Sequence, residues 1–256
     1  MAAYALSDIH GCIKIYEQVK AFLKPDDIVF FLGDAGDRGP HSWECIKAIY
    51  NDPQFIYLKG NHEDMLHYAM QHYFDVEWGA IEWNGGEQTV YDWAAENVED
   101  DVVDPKWVNR MEELPLAAFY VNKNREIIYM THSGYLHGDI KISLENIGDN
   151  FQDYYGLYYS PSGRAQDYVW DRNVLRRDFW HRENNEYIIH GHSPVPLCFD
   201  KLQTRSQLET WHPDIHMYAD NHMIDIDLGT HYTGWACLLN LDTWDEHYFE
   251  TDERAK

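Results

Sequence analysis

The chain of 256 residues is long enough for one large domain or two small ones, and its 45% hydrophobic content is that of a globular rather than a disordered protein. With 20 Lys and Arg against 44 Asp and Glu, the net charge is −24, which leaves little of the cationic surface that phosphate backbones require; nucleic acid is therefore not an expected partner. Apolar runs such as IVFFL are too short to span a bilayer, the N-terminal MAAYALSD has neither a basic flank nor a long apolar core, and Cys12, Cys45, Cys198 and Cys237 form no C-x-x-C pair, so no membrane contact and a reduced, cytoplasmic setting are expected.

In chain order, AYALSD predicts a short strand and IKIYEQVKAFL a helix. DIVFFLGD then predicts a strand, HSWECIKAIYN a helix, FIYLKGN a third strand and EDMLHYAMQHYF a third helix. Strands alternating with helices at this interval indicate βαβ units and a parallel sheet. From Glu77 to Leu114 the chain reads as helical, interrupted by WNGGEQT and by the acidic VEDDVVDPKW, which reads as a solvated loop. Trp78, Trp83, Tyr91 and Trp93 in this stretch are expected to pack a helical core. Later strands are expected at EIIYMTH, EYIIHGH, MIDIDLG and GWACLLNL. No linker divides the chain, so a single domain over 1–256 is expected, with a helical insertion at about 64–114.

Polar clusters follow the predicted strands: SDIHGC, GDAGDRGP, KGNHED, THSG and IHGHSP. Open α/β sheets bind ligands at that end of their strands. The donors there, Asp8, His10, Asp34, Asn61, His132 and His192, mix oxygen with imidazole and include no thiolate. Such a set suits manganese, iron or zinc, and six donors exceed what one tetrahedral ion needs. Two +2 ions about 4 Å apart repel by on the order of 15–20 kcal/mol at an effective dielectric near 20, so a carboxylate between them is required, and Asp34 is suitably located.

The ordered set D-x-H-G, G-D-x-x-D-R-G and G-N-H-E resembles the calcineurin-like metallophosphoesterase superfamily. Within it the chain is most similar to the phosphoprotein phosphatase family, in particular its small bacterial and bacteriophage serine/threonine phosphatases. The resemblance extends through WNGGEQT, LPLAAFY, THSG, VWDR, HGHSP and IDLGT. It implies a central β-sandwich flanked by helices in α/β/β/α layers. It also implies two divalent metal ions, manganese first and iron or zinc as alternatives. Asp8, His10 and Asp34 would hold the first ion, and Asp34, Asn61, His132 and His192 the second. His62 would be the general acid oriented by Asp37, with Arg38, Arg172 and Asn61 binding the substrate phosphate. The implied reaction is hydrolysis of phosphomonoesters by direct attack of a metal-activated hydroxide.

Taken singly, Asp34 and Asp37 would read as solvated loop carboxylates; only the ordered set makes them site residues. His190 reads as a strand-interior histidine, His231 is ambiguous, and Asp227 reads equally as a brace for the site or as a strand-end cap. Lys59 stands where many relatives have Arg, which keeps the charge but loses the planar fork. The expected partner is a phosphorylated protein or a small phosphorylated metabolite. A serine/threonine protein phosphatase leads, favoured by Asp37 and Glu63. A dinucleoside polyphosphate (diadenosine tetraphosphate) hydrolase is the alternative. A catalytically silent metal protein would have lost a ligand or His62, and a nuclease conflicts with the acidic balance.

Overall fold

Three short apolar strands set the frame. In the computed structural model, which describes residues 1–75, 77–136, 140, 142, 154–159, 165–176 and 185–254, they are β1 (Ala3–Leu6), β2 (Ile28–Phe31) and β3 (Phe55–Tyr57), paired in parallel. Their side chains alternate between two cores. Tyr4, Leu6, Val29 and Phe31 pack against Ile15 and Val19 of α1 (Ile13–Phe22) and Trp43, Ile46 and Ile49 of α2 (Ser42–Asn51). Ala3, Ala5, Phe30 and Leu32 face the other way, into a second sheet. Burial on both faces explains why these strands read as continuous apolar runs.

The second sheet has the order β10 (His216–Tyr218), β11 (Met223–Asp225), β9 (Glu186–His190), β7 (Ile127–Thr131), β6 (Ala117–Val121), β8 (Tyr154–Tyr158). Its inner face brings Ala118, Tyr120, Ile128, Met130, Ile189 and Ile224 onto the first sheet. Its outer face is covered by Tyr168 and Val169 of the helix Asp167–Trp170. The result is the expected α/β/β/α sandwich. The first sheet is mixed rather than wholly parallel, because β12 (Trp235–Asn240) pairs antiparallel with β1, and β13 (Glu246–Glu250) antiparallel with β12.

Between β3 and β6 run α3 (Asn61–Gln71), α4 (Ala80–Trp83), α5 (Glu87–Asn97) and α6 (Pro105–Glu112). The acidic VEDDVV is not a plain loop. It forms β4 (Val98–Glu99) and β5 (Val102–Val103), joined by Asp100 and Asp101 at φ 49° and 61°. Two left-handed residues are what a two-residue hairpin turn of matching twist requires. Trp93 is buried as expected, whereas Trp83 is 87% exposed and belongs to no core. Among the described residues no helix is long and apolar enough to cross a membrane.

The topology gathers the polar loops. Asp8, Asp34, Asn61, His132, His192 and Asp227 all follow the carboxyl ends of β1, β2, β3, β7, β9 and β11, so loops from both sheets converge on one edge of the sandwich.

Candidate metal centre and active site

Backbone conformation marks the site before any side chain is considered. Asp8, His10, Asp34, Asp37, Arg38 and His192 all adopt positive φ, between 43° and 69°. For residues other than glycine this left-handed region costs of order 1–3 kcal/mol each, and it persists where the surroundings over-determine it. Here it turns each chain sharply off a strand end and aims the side chain inward. Gly60 serves the same packing, since a Cβ there would collide with the Asp34 carboxylate.

Two groups of donors result, each able to hold a cation. His10, Asp34 and His62 form one, and Asp34, His132 and His192 the other, with donor atoms in each within 4.8 Å of one another. Asp34 is common to both and divides its oxygens between them. Its Oδ2 lies 3.6 Å from His10 Nε2, and its Oδ1 lies 3.4 Å from His132 Nε2. Asn61 Oδ1 completes the second group at 2.9 Å from both His132 Nε2 and His192 Nδ1.

Tautomers test whether these residues fit a cation. His132 Nδ1 donates to the Leu32 carbonyl at 2.8 Å, and burial pushes this imidazole down to about 3, so it is neutral. Its Nε2 then turns a lone pair towards the Asn61 and Asp34 oxygens. A cation among these three atoms would satisfy them together. His10 is arranged likewise: Nδ1 donates to the Gly36 carbonyl at 2.9 Å, and burial followed by Arg38 holds the ring well below the usual histidine range. The Arg38 guanidinium supplies the positive charge there, donating to His10 Nε2 at 2.6 Å and to His62 Nε2 at 2.8 Å. The oxygen and imidazole donors fit a divalent transition ion.

Asp8 adjoins the groups without belonging to either. Its carboxylate accepts from the His192 backbone N–H at 3.2 Å and from the Ser7 hydroxyl. Burial, then Asp227 and Asp34, push its carboxyl well above the usual range. Burial, then Glu63, push Asp34 up to about 7. A bound cation would favour the ionised form of both carboxyls.

His62 has the partners of an acid. Its Nδ1 donates to Asp37 Oδ2 at 2.6 Å. Burial pulls its pKa down, but Asp34 and Asp37 outweigh it, and the net shift is upward. Asp37 is itself held by Thr89 Oγ1, at 2.5 Å from Oδ1. Arg172 lies exposed beside the second group, donating through Nε to His192 Nε2 at 3.2 Å. Lys59 points elsewhere: its buried ammonium donates to the Glu112 carbonyl at 3.1 Å, and burial lowers its pKa. His190 is a buried strand residue bonded to Tyr218 Oη at 2.7 Å, outside both groups. Asp227 Oδ1 accepts from the Gly229 N–H at 2.8 Å, which orders the following loop. An open groove of about 620 Å³ adjoins Arg172, walled by Tyr68, Trp170, Met65, Asp64 and Asp171.

Three contributors carried no assigned place in the site, although Glu63 weighed towards a protein phosphatase. Thr89 is one. Glu63 is another, because its carboxylate takes four donors: the N–H groups of Asp34, Ala35 and Gly60, and Tyr57 Oη at 2.6 Å. His231 is the third. It is 2% exposed, pushed down to about 2 by burial and then Arg38, and its ring centroid lies 4.7 Å from that of His10.

A family model described as calcineurin-like phosphoesterase matches residues 1–223. The chain is 27% identical over 210 residues to a Bacillus cereus protein named bis(5'-nucleosyl)-tetraphosphatase PrpE (asymmetrical), covering 74% of this chain and 78% of that one. The Oceanobacillus iheyensis protein of the same name is 25% identical over 240 residues, covering 88% and 82%. Among solved structures, the cold-active protein-tyrosine phosphatase of a Shewanella species superposes with a TM-score of 0.57 at 14% identity, covering 99% of this chain and 79% of that one. At that identity the likeness concerns the fold.

Proposed function

The chain belongs to the calcineurin-like phosphoesterase family and is a metal-dependent phosphoester hydrolase, and on that premise we propose that it is a serine/threonine protein phosphatase. The observation that carries this reading is the His62–Asp37 pair at 2.6 Å, set beside the donor group that contains Asp34. A serine or threonine alkoxide is a strongly basic leaving group and needs a proton as the P–O bond breaks. A phosphate leaving group, with a pKa of about 6, does not.

On this reading Asp8, His10 and Asp34 hold one cation and Asp34, Asn61, His132 and His192 the other. Two such cations, when bound, neutralise phosphate charge and make water acidic enough to attack at neutral pH. Manganese is the expected occupant, with iron or zinc as alternatives. Arg38 carries a planar fork already aimed into the site, and its N–H groups pass from the imidazoles to the phosphate oxygens. Arg172 grips the phosphate from the other side, and charge developing on the oxygens meets two fixed guanidinium groups. Once Arg38 has moved to the phosphate, His62 Nε2 takes up the second proton that its raised pKa favours and gives it to the departing oxygen, while Asp37 holds Nδ1 and Thr89 holds Asp37. His62 and Asp37 are no more than 2% exposed, so their proton is shielded from bulk water.

The names of the relatives support a second reading, hydrolysis of dinucleoside polyphosphates. Against it, the groove beside Arg172 carries three carboxylates, Asp64, Asp167 and Asp171, which repel a long polyphosphate. The test compares the metal-loaded enzyme and its His62→Asn variant on phosphoserine peptides, phosphotyrosine peptides and diadenosine tetraphosphate. The proposal expects the highest kcat/KM on phosphoserine peptides, and a larger loss there in the variant than on the nucleotide. A higher kcat/KM on diadenosine tetraphosphate, with equal losses in the variant, transfers the activity to the second reading.

A further inference from the structure

One carboxylate far along the chain reaches back to the two loops that carry His10 and Arg38. The Glu253 side chain is only 9% exposed. Its Oε2 accepts from the Lys14 N–H at 2.9 Å, and its Oε1 lies 3.6 Å from His41 Nε2. Lys14 is the second residue of α1, and His41 stands immediately before α2. Neither helix start has a cap of its own, since the side chains of Cys12 and His41 accept no helix N–H. A carboxylate at Lys14 therefore takes an N–H that the helix leaves without a partner, and it faces the positive end of the α1 dipole.

The segment around Glu253 is itself pinned. Cys12 Sγ donates to the Glu253 carbonyl at 2.9 Å, and the Glu253 N–H donates to Thr251 Oγ1 at 3.1 Å. The Thr251 N–H donates to the Gly234 carbonyl at 2.8 Å, at the end of the turn Thr230–Thr233. The neighbouring Lys14–Asp252 pair is exposed and contributes little. The two loops also pass in contact: the His41 N–H donates to the Gly11 carbonyl at 3.0 Å, and a Cβ on Gly39 would lie 2.1 Å from the His10 carbonyl oxygen. Within these loops His10, Asp37 and Arg38 sit at φ 43°, 67° and 68°. Such conformations persist only where neighbours hold them, and Glu253 touches both loops at once.

We propose that Glu253 is a positioning residue for the His10 half of the centre, holding the starts of α1 and α2 together so that His10 and the Arg38 fork stay in register beside Asp34. It touches neither cation nor substrate and acts through the backbone of the two loops. The inference rests on the reading of the donor groups as a metal centre, but not on the identity of the substrate. A carboxylate that only capped a helix would add stability and nothing more. Here the two helix starts lie two residues from His10 and three from Arg38. A misplacement of about 1 Å close to reacting groups costs on the order of a hundredfold in rate. Among the described residues no hydrogen bond or ion pair joins Glu253 to the loops of His132 and His192, so the effect belongs to one half.

The test compares wild type, Glu253→Ala and Glu253→Gln. Each is stripped of metal, then titrated with manganese by calorimetry and with cobalt by visible absorption. Melting temperature and turnover of para-nitrophenyl phosphate are measured beside the titrations. In Glu253→Ala one of two cations should bind at least about tenfold more weakly and the other as in wild type, with kcat down about tenfold and KM little changed. Glu253→Gln, whose amide oxygen still accepts from Lys14, should recover most of both losses. If the alanine variant does not fold, Glu253→Asp, which keeps the charge but shortens the reach by one methylene, carries the same expectation. A lowered melting temperature with both affinities and kcat at wild-type values would overturn the proposal and leave Glu253 a helix cap. Equal weakening at both positions, or an effect on KM alone, would overturn it too. A wild type that binds a single cation would overturn the two-cation reading and this inference with it, a failure visible before any variant is made.

Discussion

The two sides of the centre share Asp34 but are built for different tasks. On the His10 side, His231 apart, the polar groups are chained together: Arg38 spans two imidazoles, His62 is coupled to Asp37, and Asp37 is coupled to Thr89. On the other side His132 and His192 converge on Asn61 Oδ1, and nothing there is arranged to give up a proton. On the proposed reading, one side anchors and the other transacts. A dinuclear centre need not be symmetric in function even where one carboxylate serves both halves.

Breaking the shared element should erase the distinction. In Asp34→Asn the charge between the two positions disappears, while Asn61, His132 and His192 remain. We expect metal content to fall from two ions to at most one, and turnover to fall at least about a thousandfold, since each cation supplies several kcal/mol of charge stabilisation. Elemental analysis beside a steady-state assay checks both. Two retained ions would show that Asp34 does not bridge.

A cut on the transacting side alone should separate binding from chemistry. His62→Asn is expected to keep two ions while turnover on a phosphoserine peptide drops about a hundredfold or more. Loss of an ion in this variant would mean that His62, which lies within the His10 group, is a ligand rather than an acid.

How much of this asymmetry the sequence disclosed follows from how local each signal is. The donors were legible because coordination chemistry restricts residue type, and because the loops that carry them follow apolar strands such as IVFF. Asp37 was legible only through the ordered set of motifs, since taken singly it reads as a solvated loop carboxylate. Thr89 was not. Its contact with Asp37 spans 52 residues and depends on α5 folding over the site, where Gly86 lets the helix start pass close to the Asp37 carboxylate. His231 had no signal, since one histidine in THYT looks like any surface histidine until the turn between Gly229 and Gly234 is in place. In the fold, β8 was missed because its side chains are exposed or half-buried, so YYGLY shows little apolar pattern. The role of Lys59 was not legible either. It stands where many relatives have Arg, and only the structure shows its ammonium donating to the Glu112 carbonyl.

The finest test of the proton-handling side pairs two substitutions that act on His62 from one and two bonds away. Against the opposing pull of burial, Asp34 and then Asp37 raise the His62 pKa above that of an ordinary histidine. A general acid works while protonated, so activity is retained as pH rises until His62 loses its proton, and a raised pKa places that descending limb higher. Asp37→Asn removes the anion but keeps the shape, so the limb should move towards acid and kcat should fall. Thr89→Val should do the reverse to the limb at a smaller cost. Without the hydroxyl, Asp37 has one donor fewer, its charge is more concentrated towards His62, and the proton is held to higher pH. The loss in kcat should be only a few-fold, in line with about 1 kcal/mol for a single hydrogen bond. Profiles of kcat against pH for the two variants, with metal loading verified at each pH, read the signs directly. Movement of both limbs in the same direction would place Thr89 in packing rather than in the chain that tunes His62.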